Sequence, residues 1–546
     1  MRALARRAVL LAGAVLLALA PSLSAADPDS SDAPIRGVRG EPDARAVMCL
    51  SDVVLRGTGL APARRRRPLG PLSKPRDLSV PEGALVRMEA RAEAAALPSA
   101  APPSPAPTAS FEALPDDPLT TPPDTHGAVG PDHLMVTLNS QVRIQDRSGN
   151  ALSTVTLFDF WQGLSAGGED APFDPRVVYD PYADRWITTG VGNNYRSLLV
   201  GVSQTGDPTG SWNLFRIDPD PLLVDFPTLG FNKDWIVVQG AMFTSTFQYS
   251  SRIWVFGKAN LYAGGTGSFT SISGEGIGGW PAVTLDPDVS ALYLVSGWNG
   301  NLDGNGVLRL STITGSIGSE VLTVVSFVAT PNPWSALYSD FCPQMGDPRK
   351  ITCFGETNVV FRNGTIWWAQ AIVLPAVAPT RSAIQWWQLA PDGGVVQRGR
   401  LDDASGVLFY AFPSLAVNGS GDMLLGFSSF SGQQFASSSY AYRAAGDPPG
   451  TLRAERVFKA GEDIYVRDRH GANRWGDYSA TVVDPLNDRD FWTIQEYAAT
   501  RDPVSLASRW GTWWGLVVPE VAPVLRTPPQ PPAPRGTPLA PPPRGP

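Results

Sequence analysis

Three aspartates could do chemistry in this chain. Asp124, Asp174 and Asp477 each sit near the start of a recurring unit, beside Pro, Thr or Tyr. Two carboxylates facing one bond can act as acid and base on a glycosidic linkage if their separation suits it. Asp124, Asp174 and Asp477 are therefore the catalytic candidates. Around them lie His126, Arg176, Gln344, Arg474 and Tyr478, the candidate ligand-binding residues. The competing reading is plain turn chemistry, because Asp beside Pro or Gly at a strand start commonly bonds its own backbone. No metal site is expected. The three His (His126, His133 and His470) lack the spacing of a transition-metal motif. His470 precedes Asp477 closely enough for the two to face one pocket. Asn299-Gly-Asn-Leu-Asp-Gly-Asn305 could offer oxygen ligands to Ca2+, but it lacks the closing Glu of an EF-hand loop, so a hairpin tip is the simpler expectation. No cofactor is implied beyond that possible Ca2+. A nucleophile elbow and a P-loop are both absent.

The elements that must position these residues repeat. Asp174-Pro-Arg-Val-Val-Tyr-Asp180, Phe226-Pro-Thr-Leu-Gly-Phe-Asn232, Trp280-Pro-Ala-Val-Thr-Leu-Asp286 and Phe412-Pro-Ser-Leu-Ala-Val-Asn418 share one pattern. Pro is followed five residues later by Asp or Asn in all four. A looser copy begins at Asp477 and runs to Asp484-Pro485. Each reads as a strand, a tight turn and a second strand. The Pro at a strand start costs no ladder bond. A second turn signal follows in Gly206-Asp-Pro-Thr-Gly-Ser-Trp212 and Gly446-Asp-Pro-Pro-Gly-Thr-Leu452. Four strands per unit of ~40–60 residues is the pattern of a propeller blade. The fold expected is all-β, a β-propeller with seven four-stranded blades, six or eight being the alternatives. The fifth unit, near Cys353–Leu389, is irregular.

The boundaries expected are a signal peptide over 1–26, an arm over 27–115, a propeller over 116–520 and a Pro-rich tail over 521–546. Residues 1–26 pair a basic start with a short apolar run and end in Ser24-Ala25-Ala26. The arm is rich in Pro, Ala, Ser and Arg and reads as disordered, with a short helix near 82–97. Arg64–Arg67 within it reads as a solvated charge run, with a processing site or a surface-adhering tag as the alternatives. The tail reads as disordered, in an extended, semi-rigid form. A net charge of −7 with no dense basic patch inside the repeats argues against a nucleic-acid partner. No later stretch reaches the ~18 apolar residues that a membrane span needs. Cys342 and Cys353 are placed for a local disulfide in a secreted chain, which leaves Cys49 as the odd one. Trp367-Trp368, Trp386-Trp387 and Trp513-Trp514 put one ring on each strand face, either for packing between blades or for stacking on sugars.

Pro122–His133, Asp174–Trp186, Gly206–Trp212 and Arg474–Ser479 together resemble a widespread, mostly uncharacterised family of secreted bacterial β-propeller proteins of the sialidase-like kind. The resemblance covers roughly residues 115 to 518 and implies a fold and a secreted, periplasmic or extracellular address. At His126 the chain departs from the family pattern, which carries Asn. Thr205–Trp212 is similar to an Asp-box, a folding turn on a blade rim without a catalytic role. The functions expected are an extracellular or cell-surface binding or scaffold protein with a glycan or protein ligand, or, alternatively, a glycan-active hydrolase using carboxylates over the central channel. Fold alone does not choose between them.

Overall fold

Apolar and β-branched runs broken by Asp, Asn, Gly and Pro leave this chain little choice but short antiparallel strands. The computed structural model describes residues 34–56, 78–89, 545 and 101–519, the last without 119, 165–170, 337–338, 356–357 and 470. The signal peptide, Arg64–Arg67 and nearly all of the Pro-rich tail fall outside the described residues. Among the described residues the main strands fall into seven four-stranded antiparallel units, the third to fifth joined by parallel bridges between their inner strands. Their innermost strands are His126–Val129, Phe173–Asp180, Leu223–Phe231, Trp280–Thr284, Val359–Arg362, Phe409–Val417 and Ala480–Val483. Each touches the next in that order, and the last touches the first, so the ring closes. The units are the blades of a β-propeller, numbered here 1 to 7 in that order.

Closure uses a strand from the wrong end of the chain. The C-terminal unit supplies only three strands of blade 7, ending with Arg509–Val517. Its outer strand is Pro107–Pro115, paired antiparallel with Arg509–Val517 from Val517↔Pro107 to Gly511↔Pro115. The arm therefore departs from the sequence expectation. Ala44–Cys49 adds a fifth strand to blade 2, Val38–Gly40 to blade 3 and Ile35–Arg36 to blade 4. Val86–Met88, inside the expected helix, is a strand lying parallel to the outer strand of blade 4. Alternation in Ala-Arg-Ala-Val-Met-Cys gives Ala44–Cys49 one buried face, Ala44, Ala46 and Met48, in the apolar cluster with Leu157, Phe160 and Trp161. Outer edges are where unpaired backbone groups would be left, and the arm covers three of them.

The Asp or Asn five residues after Pro does two jobs. It caps its own turn and reaches the next blade. Asn232 Oδ1 accepts the Asp234 and Trp235 N–H groups, while its amide donates to Ser290 O of blade 4. Asp286 accepts Asn363 N–H and Gly364 N–H of blade 5. Asn418 donates to Arg489 O of blade 7. Asp180, fully buried, meets Lys258 Nζ at 2.6 Å and the Tyr262 hydroxyl at 2.7 Å, both after blade 3's third strand. Asn363 donates to Gly419 O of blade 6, and Asp484 receives Arg147 of blade 1. The blade 1–2 junction is instead tied at the opposite end, described below.

The irregular fifth unit has a physical cause. A hairpin, Ser339–Gln344 with Asp347–Cys353, is inserted before blade 5, and Cys342 and Cys353 form a disulfide across it, Cα atoms 5.6 Å apart. Cys49 forms no disulfide; its Sγ lies 3.0 Å from Ser51 Oγ. Among the described residues no helix is long and apolar enough to cross a membrane. The paired tryptophans of blade 5 are core: Trp367 stacks on Trp386 and Trp368 on Trp387, all four nearly fully buried. Asp303 and Gly304, both at positive φ, form a two-residue hairpin turn at Leu302–Asn305, the tip expected there. In the Asp-box-like turn, Asp207 accepts from Thr209, and Trp186 Nε1 donates to Gly206 O.

The closing strand buries Leu114 fully and packs Phe111 against Trp492 at 6.0 Å. Losing the burial of Leu114 and the partial burial of Phe111 costs about 2–4 kcal/mol. A chain starting at residue 116 is expected to lose its cooperative thermal transition or to melt well below a chain starting at 101. Equal melting temperatures by calorimetry would show that blade 7 closes without Pro107–Pro115.

Candidate functional site

The mouth of the ring lies where the innermost strands begin. Here the repeat sets an unusual backbone. Asp124, Asp174, Phe226 and Phe412 occupy matching positions and all have φ between 49° and 54°. Three of them precede Pro, where a non-glycine residue in the left-handed region is strongly disfavoured. Bulges interrupt the ladders beside them, between Phe173 and Arg176, Asp225 and Thr228, and Ala411 and Ser414. Such positions cost of order 1–3 kcal/mol each and persist only where neighbours fix them. The bulges turn these side chains across the mouth instead of into the blade faces.

The three aspartates converge. Asp124, Asp174 and Asp477 each place a carboxylate oxygen within 4.8 Å of the other two. They come from blades 1, 2 and the approach to blade 7, three consecutive members of the ring. Asp124 and Asp174 are buried, while Asp477 is partly exposed. Asn139 knits the first two. Its amide donates to Asp124 and to Pro122 O, and its Oδ1 accepts Asp174 N–H at 2.7 Å. Phe226 N–H reaches Asp174 Oδ2 at 3.2 Å. Arg474 donates to Asp477. These contacts tie blade 1 to blade 2 where the turn-side staple is missing. The three oxygens are spaced as the ligands of a cation could be, and the chain's own cations, Arg176 and Arg474, lie beside them.

Arg176 is the central one. Its guanidinium carbon lies 3.7 Å from the Tyr478 ring centroid, 4.9 Å from Trp280 and 5.2 Å from Phe226. Its Nε donates to Pro227 O at 2.6 Å. Burial lowers its pKa, and Tyr478 with the three aspartates opposes that. Tyr478 donates to Pro175 O at 3.0 Å. His126 Nδ1 accepts Val177 N–H at 3.3 Å, and burial with the nearby Arg176 holds its pKa well below the ordinary value, so it is neutral. Of the expected ligand-binding residues, His126, Arg176, Arg474 and Tyr478 thus gather at the aspartates. Gln344 does not. Its amide bonds the backbone of Tyr465 in both directions and donates to Arg349 O, which fixes the inserted hairpin. That use of every polar atom corrects the expectation for Gln344. His470, expected to share a pocket with Asp477, is outside the described residues.

Two cavities adjoin this plug. One runs down the axis, with a volume of about 280 Å³. His126 and Arg176 stand at its upper end, Arg362 and Asp488 at its lower, and Ala128, Val178, Leu229 and Val360 are among its apolar walls. The second, about 250 Å³, opens between blades 3 and 4. Trp280 belongs to both. Aromatic faces from Phe226, Trp298 and Trp334 meet amides from Gln239, Asn299 and Gln370 in the second, and Asp477 closes one edge. Its shape depends on glycine: a Cβ at Gly306 would lie 1.6 Å from the Trp334 ring. The arm contributes too, since Trp298 Nε1 donates to Ser79 O and Asn299 to Leu78 O.

Sequence reasoning missed Glu496. It lies on the second strand of blade 7, fully buried, 3.1 Å from where a Cβ on Gly476 would stand. Burial, then the charges of Asp124 and Asp116, push its carboxyl well above the usual range. The signal was a charged residue inside Phe-Trp-Thr-Ile-Gln-Glu-Tyr, a strand otherwise fit for burial on both faces.

No family model matches the chain, and no curated protein matches it. It is similar in fold to the α-L-arabinofuranosidase Arb93A from Fusarium graminearum, at 10% identity over 76% of this chain and 98% of that one, with a TM-score of 0.37. It is similar to a subtype N10 neuraminidase-like protein of A/little yellow-shouldered bat, at 10% identity, 59% and 95% coverage and a TM-score of 0.32. An endo-arabinase from Bacteroides thetaiotaomicron matches at 13% identity, 64% and 94% coverage and a TM-score of 0.30. Likenesses of this size carry no statement about activity.

Folding keeps a proton on Glu496 that the unfolded chain releases above its ordinary value of 4.5. The stabilisation from that proton is complete below the ordinary value and is lost as pH rises toward the raised folded value. Relative to a Glu496→Gln variant, the parent is expected to lose up to about 1.4 kcal/mol of stability per pH unit in that window. Urea unfolding of both at about pH 4 and about pH 8 measures it. Parallel pH dependences would mean that Glu496 is ionised in the folded protein.

Proposed function

We propose that this is a secreted binding protein that holds a glycan, free or carried on a protein, in the pocket between blades 3 and 4. The observation that carries the reading is that pocket's make-up. Flat aromatic faces, amide groups and one carboxylate edge line a concave site, the combination that stacks a sugar ring and bonds its hydroxyls. The signal-like start of the chain and the Cys342–Cys353 disulfide support an oxidising, non-cytoplasmic address.

The convergence of Asp124, Asp174 and Asp477 favours a second reading, a glycan-active hydrolase. Against it stands access. A glycosidase needs two carboxyl groups flanking the bond, about 5–5.5 Å apart to retain configuration or about 6.5–9.5 Å to invert it. Asp477 lines the pocket, whereas Asp124 and Asp174 are buried and bonded to Asn139 and Phe226. In that arrangement the two inner carboxylates brace the mouth.

Sugar release separates the readings. The full secreted chain and an Asp477→Asn variant are incubated with mixed polysaccharides and sialoglycans. The expected outcome is retention of glycan by the parent without released sugar. Release by the parent that disappears in Asp477→Asn would make the protein an enzyme. A Trp298→Ala variant is expected to weaken glycan retention about tenfold, the loss of about 1.4 kcal/mol of stacking.

A further inference from the structure

Resting on that binding reading, we propose that the pocket between blades 3 and 4 takes a neutral sugar residue and that Gln370 is the side chain that reads it. The first argument is charge. Among the described residues Asp477 is the one charged side chain in the lining, and no Lys or Arg faces the pocket. The nearby guanidiniums are committed elsewhere. Arg176 is buried behind Trp280 and Tyr478, and Arg309, also buried, donates to Gly278 O. A sugar carboxylate entering here would lose its hydration to aromatic faces, and the cations beside the pocket are already engaged, Arg474 by Asp477 and Arg309 by Gly278 O and the Trp298 ring. A neutral, hydroxyl-rich ring meets no such cost.

The second argument is an amide with work left to do. Gln370 is only 3% exposed, yet its Nε2 has no hydrogen-bond partner among the described residues. That nitrogen is closed off from the pocket, so the amide meets a ligand through its Oε1, which can accept from a sugar hydroxyl. The wall opposite leaves room for one. Gly297 lies there without a side chain, and a Cβ on it would come within 3.0 Å of Gln370 Oε1. A site built around a fixed acceptor also rejects a ligand that lacks the matching hydroxyl. The third argument is size. At about 250 Å³ the pocket falls below the about 300–1,000 Å³ of drug-sized sites, which suits one sugar ring held against Trp298 with the rest of a glycan outside.

The test uses the full secreted chain and two ligand sets. One is a panel of neutral methyl glycosides of pentoses and hexoses. The other is the methyl glycosides of the matching uronic acids, together with sialic acid. Binding is read by calorimetry and by saturation-transfer NMR. At least one neutral glycoside is expected to bind, with its uronic counterpart at least tenfold weaker. Gln370→Leu is expected to weaken the neutral ligand at least tenfold while its melting temperature stays level or rises, because an unsatisfied buried amide has gone. A merely structural Gln370 would instead lower the melting temperature. Acidic glycosides binding as well as neutral ones, or Gln370→Leu binding like the parent, would overturn the inference and leave glycan binding standing. Failure of both sets to bind, while polysaccharide retention is also absent, would overturn the binding reading itself.

Discussion

A ring of twisted sheets is stable only if its last sheet meets its first. In this protein that meeting depends on Pro107–Pro115, which completes blade 7 from a position before blade 1. The consequence reaches the mouth. Asp124 leads into blade 1 and Asp477 into blade 7, so their approach exists only once the ring has closed. Asp174, from blade 2, joins them through Asn139. The seam of the propeller and its three converging carboxylates are therefore one structure. Long-range closure of this kind is costly in chain entropy, and the pairing of Gly511–Val517 with Pro107–Pro115 offsets it.

The mouth also shows how close carboxylates are tolerated away from water. Three within 4.8 Å repel strongly at low dielectric. Backbone N–H groups, the Asn139 amide, Arg474 and the stacked Arg176 surround them. Tyr478, Trp280 and Phe226 hold Arg176 by their faces, so the cation is fixed without sealing it to one aspartate. The same Phe226 and Trp280 then form a wall of the pocket outside. One side of each ring braces charge, and the pocket offers a ligand an apolar surface. The backbone strain at Asp124, Asp174 and Phe226 sits where this double duty is greatest.

Much of the fold could be read from the chain. Pro followed five residues later by Asp or Asn marked first strands and turns, and the staples at Asp180, Asn232, Asp286 and Asn418 explain why those residue types recur. Blade 5 was blurred because it opens without Pro and follows an inserted hairpin. The arm was misjudged because composition outweighed pattern. Ala44–Cys49 alternates as a strand does, but its partner lies on blade 2, far away in sequence. At the site, the position of Asp124, Asp174 and Asp477 within their units singled them out, since equivalent positions of a propeller face one axis. The pocket was not legible. Its lining runs from Leu78 to Asp477, and its width is set by glycines such as Gly297 and Gly306, which carry no chemical signal. Glu496 escaped for the opposite reason: its neighbours in sequence say only that the strand is buried.

Hydrogen–deuterium exchange on the full chain, with and without polysaccharide, tests the account most directly. Binding in the pocket between blades 3 and 4 predicts slower exchange in the segments around Gly276–Gly279 and Ser296–Gly300, with the outer strands of blades 5 and 6 unchanged. Retained polysaccharide that protects other segments and leaves these two as they were would contradict it.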